Sequence, residues 1–248
     1  MSAGGRGEPW FRDWFGETYL DVYPHRDREE ARRAVELFVD AAGPGRAGGR
    51  VLDLACGAGR HLTPLAEAGF RPIGLDLSRP LLRRAAASFG GPLVRADMRA
   101  VPLASGSMDA VVQFFTSFGY FEDRSEDRRV LEEVRRVLRP GGTFLMDFLN
   151  AEKVRRELVP RDEKTIGGLR VRQRRWLEGD AVVKRIEVEE PGGEAPEIHH
   201  ERVRLYRPEE LEEMMEASAL RVLGRAGGYD GRPFDEDAPR LLLTGEAT

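Results

Sequence analysis

The sequence predicts an α/β fold: an open, doubly wound sheet of seven strands, with an antiparallel β insertion after the fifth strand and a helical lid at the N-terminus. Three observations carry that expectation. The apolar run Val51, Leu52 and Leu54 reads as a buried strand and passes into a glycine turn containing Gly57 and Gly59, after which helical periodicity begins at Arg60. Strand and helix signals then alternate as far as Leu138, the grammar of a parallel sheet covered by helices on both faces. Beyond the fifth strand the period shifts to two, broken by Gly-Asp and Pro-Gly-Gly turns, as in antiparallel strands. The expected organisation is a lid over residues 1–48 and a main domain over residues 49–248, with the insertion at residues 160–206.

Composition sets the limits. A chain of 248 residues accommodates one large α/β domain with an insertion, and 41% hydrophobic with 33% charged residues is ordinary for a soluble globular protein. The net charge of −4 gives no global attraction for nucleic acid, and none is expected as a partner. No apolar run approaches the roughly 20 residues that span a bilayer, so no membrane is expected. Met1 to Glu8 lack the apolar core of an export signal, which makes a cytoplasmic protein the natural expectation. Cys56 is the only cysteine, which excludes an intrachain disulfide and a cysteine-based metal cluster.

In chain order, Trp10 to Leu20 is aromatic-rich and reads as an amphipathic helix packed on the domain, with a lid over a ligand as the alternative. Pro24 breaks the pattern, and Asp27 can cap a helix running to about Asp40 before the link from Gly43 to Gly49. In the strand–turn–helix that follows, Gly57 and Gly59 allow a tight turn and close approach to a ligand, and the helix N-terminus directs free N–H groups into it. A dinucleotide fingerprint would place glycines at Ala55, Gly57 and Arg60. The bulky arginine argues against a pyrophosphate cradle, and acidic Asp53 favours a cationic ligand. Pro72 to Ser78 reads as a second strand ending in Asp76, a carboxylate placed to accept from both hydroxyls of a ribose. Ser78 caps the next helix, with Pro80 in its first turn. Leu93 to Asp97, Met108 to Phe115 and Leu138 to Asp147 read as strands three to five. Right-handed crossovers collect Asp53, Asp76, Asp97 and the segment after Phe115 at one sheet edge.

The chain continues with a short helix from Ala151 to Leu158 and period-two strands at Gly168 to Trp176, Ala181 to Glu189 and Ile198 to Tyr206. A helix from Pro208 and strands at Leu220 to Arg225 and Arg240 to Thr244 then complete the main sheet, which makes the β-rich piece an insertion. Arg170, Arg172 and Arg174 form either a face for an anionic substrate or a solvated outer face. His199 and His200, adjacent on a strand, point to opposite faces and cannot pair on a metal; no metal is assigned.

The ordered motifs from Arg50 to Asp147 resemble those of the class I S-adenosylmethionine-dependent methyltransferases, which have a Rossmann-like fold. Tyr-Pro-His-Arg from Tyr23, Phe-Thr-Ser-Phe-Gly-Tyr-Phe from Phe115, Arg-Leu-Tyr from Arg204 and Tyr-Asp-Gly-Arg-Pro-Phe from Tyr229 extend the likeness to bacterial small-molecule methyltransferases of the methyltransferase-domain-25 type. The resemblance implies S-adenosyl-L-methionine as cofactor, S-adenosyl-L-homocysteine as product, and in-line transfer of a methyl group to a small-molecule nitrogen or oxygen. It implies cofactor contacts from Tyr19, Asp53, Ala55, Cys56, Gly57, Gly59, Arg60, Asp76, Leu77, Asp97, Met98, Phe114 and Phe115. Among these, the carboxylate of Asp97 would take the adenine amino group and Met98 would flank the ring. Tyr23, His25 and His61 are the catalytic candidates, with a histidine as proton acceptor where the substrate needs one. Phe118, Tyr120 and Tyr229 are the substrate candidates, and aromatic rings after strand four can attract a sulfonium by cation–π contact. The insertion is expected to cap the substrate or to form a homodimer contact through its edge strands. The competing classes are a nicotinamide-dependent oxidoreductase and a non-catalytic S-adenosylmethionine-binding regulatory protein.

Overall fold

The computed structural model describes residues 9–23, 28–43, 48–193 and 195–248. Strand β1 (Arg50–Leu54) is buried along its length after Arg50, because both of its faces are covered. It pairs in parallel with β2 (Arg71–Asp76) on one side and β4 (Met108–Gln113) on the other. β3 (Leu93–Arg95) extends the sheet beyond β2, and β5 (Leu138–Leu149) extends it beyond β4. β11 (Arg240–Ala247) joins antiparallel to β5, and β10 (Leu220–Ala226) antiparallel to β11. The order β10-β11-β5-β4-β1-β2-β3 is the expected seven-stranded sheet, and its winding reverses between β1 and β4. In open α/β sheets a crevice forms at that reversal, outside the carboxyl ends of the strands.

Three helices follow the first strands: α4 (Leu62–Glu67), α5 (Arg79–Ala86) and α6 (Arg124–Val137). Ser78 caps α5 as expected, accepting from the Leu81 N–H at 3.2 Å, and Asp123 caps α6. At the N-terminus the aromatic stretch forms two short helices, not one: α1 (Trp10–Trp14) and α2 (Glu17–Val22), separated at Gly16. Gly16 is extended, with φ −112° and ψ −156°, so the first helix cannot continue through it. Pro24 and Asp27 lie outside the described residues. α3 (Arg28–Ala42) buries Ala34, Val35 and Phe38 against Val51, Val112 and Leu145 of the main sheet. Among the described N-terminal helices, α1 and α2 line the crevice, whereas α3 packs on the sheet.

Between α7 (Ala151–Glu157) and α8 (Pro208–Ala217) stands a second sheet of four antiparallel strands in sequential order: β6 (Arg161–Ile166), β7 (Leu169–Glu178), β8 (Ala181–Glu189) and β9 (Glu197–Arg204). The period-two pattern gives three of these. β6, an edge strand with no buried residue, carries no apolar alternation to read. β9 stops at Arg204, and Tyr206 leaves the sheet to lie fully buried in the main core.

One face of this sheet packs Val171, Ile186 and Val188 on Trp14, Tyr19 and Val22. On the other face, Arg170 and Arg172 pair with Glu163, Glu187 and Glu189. Arg174 is exposed there, so the arginine row is a solvated ion-pair lattice. His199 is buried beside Trp14 while His200 is exposed, the opposed pair that strand geometry requires.

Candidate active site

The turn after β1 passes through three left-handed residues, Ala55 (φ 60°), Gly57 (φ 56°) and Gly59 (φ 76°). Its first amide is tied to the neighbouring strand, Cys56 N donating to the Leu75 carbonyl at 2.9 Å. At Gly59 a Cβ would come within 2.8 Å of the Ala85 Cβ, so glycine is needed there for packing against α5. The Gly57 N–H donates to Oδ2 of Asp76 at 2.8 Å, and the Ser78 N–H donates to Oδ1 at 2.8 Å. Asp76 is thereby fixed between the glycine turn and the start of α5. Burial pushes its carboxyl up despite the opposing effect of those amides.

Asp53 lies behind the turn, 1% exposed, and neither of its oxygens accepts a hydrogen bond among the described residues. Burial pushes its pKa up to about 8, with Arg60 pulling it back and Asp76 adding to the rise. Burial thus opposes ionisation of Asp53 and mutes the anionic character expected of this loop. A buried acid with unfilled acceptor oxygens suits a ligand whose near end is cationic. His61 Nδ1 is 4.0 Å from Asp53 Oδ2, and its ring lies 4.2 Å from that of Phe114.

At the end of β3 the chain places Asp97 against Arg99, which donates from its backbone N–H at 2.9 Å, from Nε at 3.0 Å and from Nη2 at 2.6 Å. Burial raises the Asp97 carboxyl, but Arg99 outweighs it and holds the group below its usual range. The arginine is itself anchored by Glu126 and lies over the Phe121 ring at 4.3 Å. Met98 receives the Gln113 amide at 3.6 Å. Phe115 lies beneath two guanidinium groups, Arg60 at 4.3 Å and Arg240 at 5.1 Å, and Arg60 is secured by Glu30 at 2.8 Å. With two cations already over it, this ring acts as a wall.

These groups surround a cavity of about 1550 Å³. Of the residues expected from the sequence, Tyr19, Tyr23, Ala55, Cys56, Gly57, Arg60, His61, Asp76, Leu77, Asp97, Met98, Phe114, Phe115 and Tyr120 line it. Four others stand behind the wall. Asp53 and Gly59 support the turn, Phe118 is buried 1% exposed against Phe148 and Tyr206, and the Tyr229 hydroxyl donates to Asp147 at 2.5 Å. His25 lies outside the described residues.

The inner face of the insertion supplies the far wall, and sequence reasoning singled out none of the side chains it presents there. Lys184 and Glu201, cross-strand partners on β8 and β9, form an ion pair there. Lys184 Nζ also donates to the Tyr23 hydroxyl at 3.1 Å, and the Trp14 indole donates to Glu201. Burial pulls the Lys184 ammonium down, but Glu201 and Tyr23 more than reverse the effect and keep it charged. Nearby, Arg175 pairs with Asp162 at 3.1 Å. The available signal was a charge inside an apolar period: Lys184 falls on the face that buries Ile186 and Val188. Among the described residues, no group of three or more His, Cys, Asp or Glu is placed to hold a metal ion.

Residues 51–142 match the family described as methyltransferase domain. The match takes in the glycine turn and the acidic strand ends, and the fold is that of a solved S-adenosylmethionine-dependent methyltransferase from Clostridium acetobutylicum, at TM-score 0.78 and 19% identity over 93% of this chain and 96% of that one. Among its relatives, the chain is 37% identical over 124 residues to a demethylmenaquinone methyltransferase of Renibacterium salmoninarum, covering 47% of this chain and 48% of that one. It is 28% identical over 225 residues to a dTDP-3-amino-3,6-dideoxy-alpha-D-glucopyranose N,N-dimethyltransferase of Streptomyces fradiae, covering 87% of each. The chain spans about half the length of the first curated relatives it matches. Its fold is shared with the S-adenosylmethionine-bound amino pentose methyltransferase CalS10 of Micromonospora echinaspora, at TM-score 0.67 and 22% identity over 94% of this chain and 97% of that one. Among the described residues, no helix is long and apolar enough to cross a membrane.

Proposed function

We propose that the protein transfers a methyl group from S-adenosylmethionine to a nitrogen or oxygen of a small-molecule acceptor. The observation that carries this reading is the continuity of one cavity, from the acidic strand ends at Asp76 and Asp97 to the inner face of the insertion. The bound sulfonium supplies an already activated methyl group, so the protein's part is alignment and exclusion of water. Asp76 would accept from the ribose hydroxyls, Asp97 and Met98 would hold the adenine, and the Ala55 to Gly59 turn with Asp53 behind it would receive the cationic amino-acid end. Trp10, Phe15, Tyr23 and Tyr120 wall the remaining volume, where Lys184, Glu201, Arg175, Asp162 and Lys153 are among the polar groups. A small acceptor needs this kind of mostly apolar enclosure with a few placed polar contacts.

A neutral amine attacks without a base and sheds its proton afterwards, whereas a hydroxyl requires a proton acceptor, for which His61 is the described candidate. Nitrogen is favoured by the relative that dimethylates an amino sugar and spans most of both chains. In this reading the insertion is an acceptor cap. A homodimer contact through its edge strands, of which β6 is one, is the alternative. The test is to incubate the protein with S-adenosylmethionine and panels of small amines and small alcohols, reading S-adenosylhomocysteine release and the mass of one added methyl. Turnover is expected with a member of the amine panel. S-adenosylmethionine binding without turnover on any acceptor would favour a non-catalytic regulatory role.

A further inference from the structure

Phe115 and Thr116 line the cavity with φ 61° each, in the left-handed region that L residues avoid and that β-branched threonine tolerates least. Three residues that do not line the cavity hold them there. Asp147, near the end of β5 and 1% exposed, accepts from the Phe115 N–H at 2.8 Å and from the Tyr229 hydroxyl at 2.5 Å, both at Oδ2. Its other oxygen accepts from Nε of Arg240, and its backbone carbonyl accepts from the Thr116 N–H at 2.8 Å. Arg240 then reaches past it to donate to the Thr116 hydroxyl at 2.7 Å. Both oxygens of one buried carboxylate and its backbone carbonyl thus face the two strained residues and the side chains that brace them.

Resting on the cofactor-site reading above, we propose that Asp147, braced by Tyr229 and Arg240, is a positioning residue for the cofactor wall. The network holds the Phe115–Thr116 turn in its left-handed form before any ligand arrives. This gives the Tyr229 segment a role although its hydroxyl lies behind the wall. It also explains why β4 ends at Gln113, since a left-handed pair cannot continue a strand.

The test is a calorimetric titration with S-adenosylhomocysteine of the parent protein and of Tyr229→Phe, Asp147→Asn, Thr116→Asn and the double variant Asp147→Asn/Thr116→Asn. Asparagine keeps an acceptor at position 116 and adopts left-handed backbone far more readily than threonine. Asp147→Asn should weaken binding about tenfold or more, and Tyr229→Phe about threefold or more, as expected for charge-assisted hydrogen bonds. Thr116→Asn should recover about threefold of the loss in the double variant, because it lowers the strain that the network opposes. Recovery distinguishes positioning from stability, since a fold weakened elsewhere would gain nothing from that change. Should Asp147→Asn fail to fold, Tyr229→Phe with and without Thr116→Asn makes the same comparison. Affinities within about twofold of the parent, or no recovery with asparagine at 116, overturn the proposal. A parent protein that binds no S-adenosylhomocysteine overturns the cofactor reading itself and this inference with it.

Discussion

Asp53 and Asp76 are both aspartates at the carboxyl ends of neighbouring parallel strands, yet their surroundings set them to different tasks. Asp76 accepts two backbone N–H groups, whereas Asp53 accepts none among the described residues. The folded Asp53 pKa of about 8 lies above its ordinary value of 3.8, so between those values the folded state holds more protons than the unfolded one. Its contribution is therefore most favourable at the acid end, and declines as pH rises from about 4 to about 8. Asp127, raised to about 6, acts in the same direction over the lower part of that window. Asp97 and Glu133, held low, act in the opposite direction and lose their stabilisation as pH falls. Asp53→Asn should therefore flatten the fall in stability between pH 5 and 8, which urea unfolding at a series of pH values measures. An unchanged slope would mean that Asp53 is already ionised in the free protein. Asp76→Ala should weaken S-adenosylmethionine binding by roughly 1–3 kcal/mol through lost acceptors. Equal affinity in the variant would remove Asp76 from the ribose site.

At the scale of elements, the glycine turn and the insertion depend on a few contacts between segments. Gly59→Ala should destabilise the protein by about 1–3 kcal/mol in denaturant unfolding, because it sets alanine at positive φ and drives its Cβ into α5. The insertion is fastened to the main domain by Arg204, at the end of β9. Its guanidinium meets Asp127 of α6 at 3.0 Å and the carbonyls of Phe121 and Glu122, and Tyr206 donates to the same Asp127 at 2.8 Å. Arg204→Met leaves that carboxylate buried without its cation and should cost on the order of 3–5 kcal/mol, read from the unfolding midpoint. A loss below about 1 kcal/mol would mean the pair is hydrated in solution.

The elements legible in the sequence are those whose burial writes a pattern. β1, β2 and β4 are apolar runs ending in turn residues, and the acidic residues Asp53, Asp76 and Asp97 in or after β1, β2 and β3 mark one edge of the site. The break at Gly16 was hidden inside a uniformly aromatic stretch, and β6 was hidden because an exposed edge strand needs no alternation. Lys184 and Glu201 were illegible as a pair because their meeting depends on the register between β8 and β9, which periodicity does not specify. Phe118 and Tyr229 were expected on the wall and stand behind it, since a motif gives sequence proximity to a site without the direction of each side chain.

At the scale of the whole molecule, the main sheet brings Asp76 and Asp97 to one cavity, and α1, α2 and the insertion line the rest of it. The central claim is that the crevice at the β1/β4 reversal receives S-adenosylmethionine, with Arg60 where a dinucleotide cradle would want a third glycine. The most direct test is unfolding of the full chain with and without S-adenosylhomocysteine, with a nicotinamide dinucleotide as the comparison ligand. At one hundred times its dissociation constant the sulfur ligand should add about 2.7 kcal/mol of stability, while the dinucleotide adds none. Stabilisation by the dinucleotide, with no effect of S-adenosylhomocysteine, would contradict the account and return the protein to the oxidoreductase class.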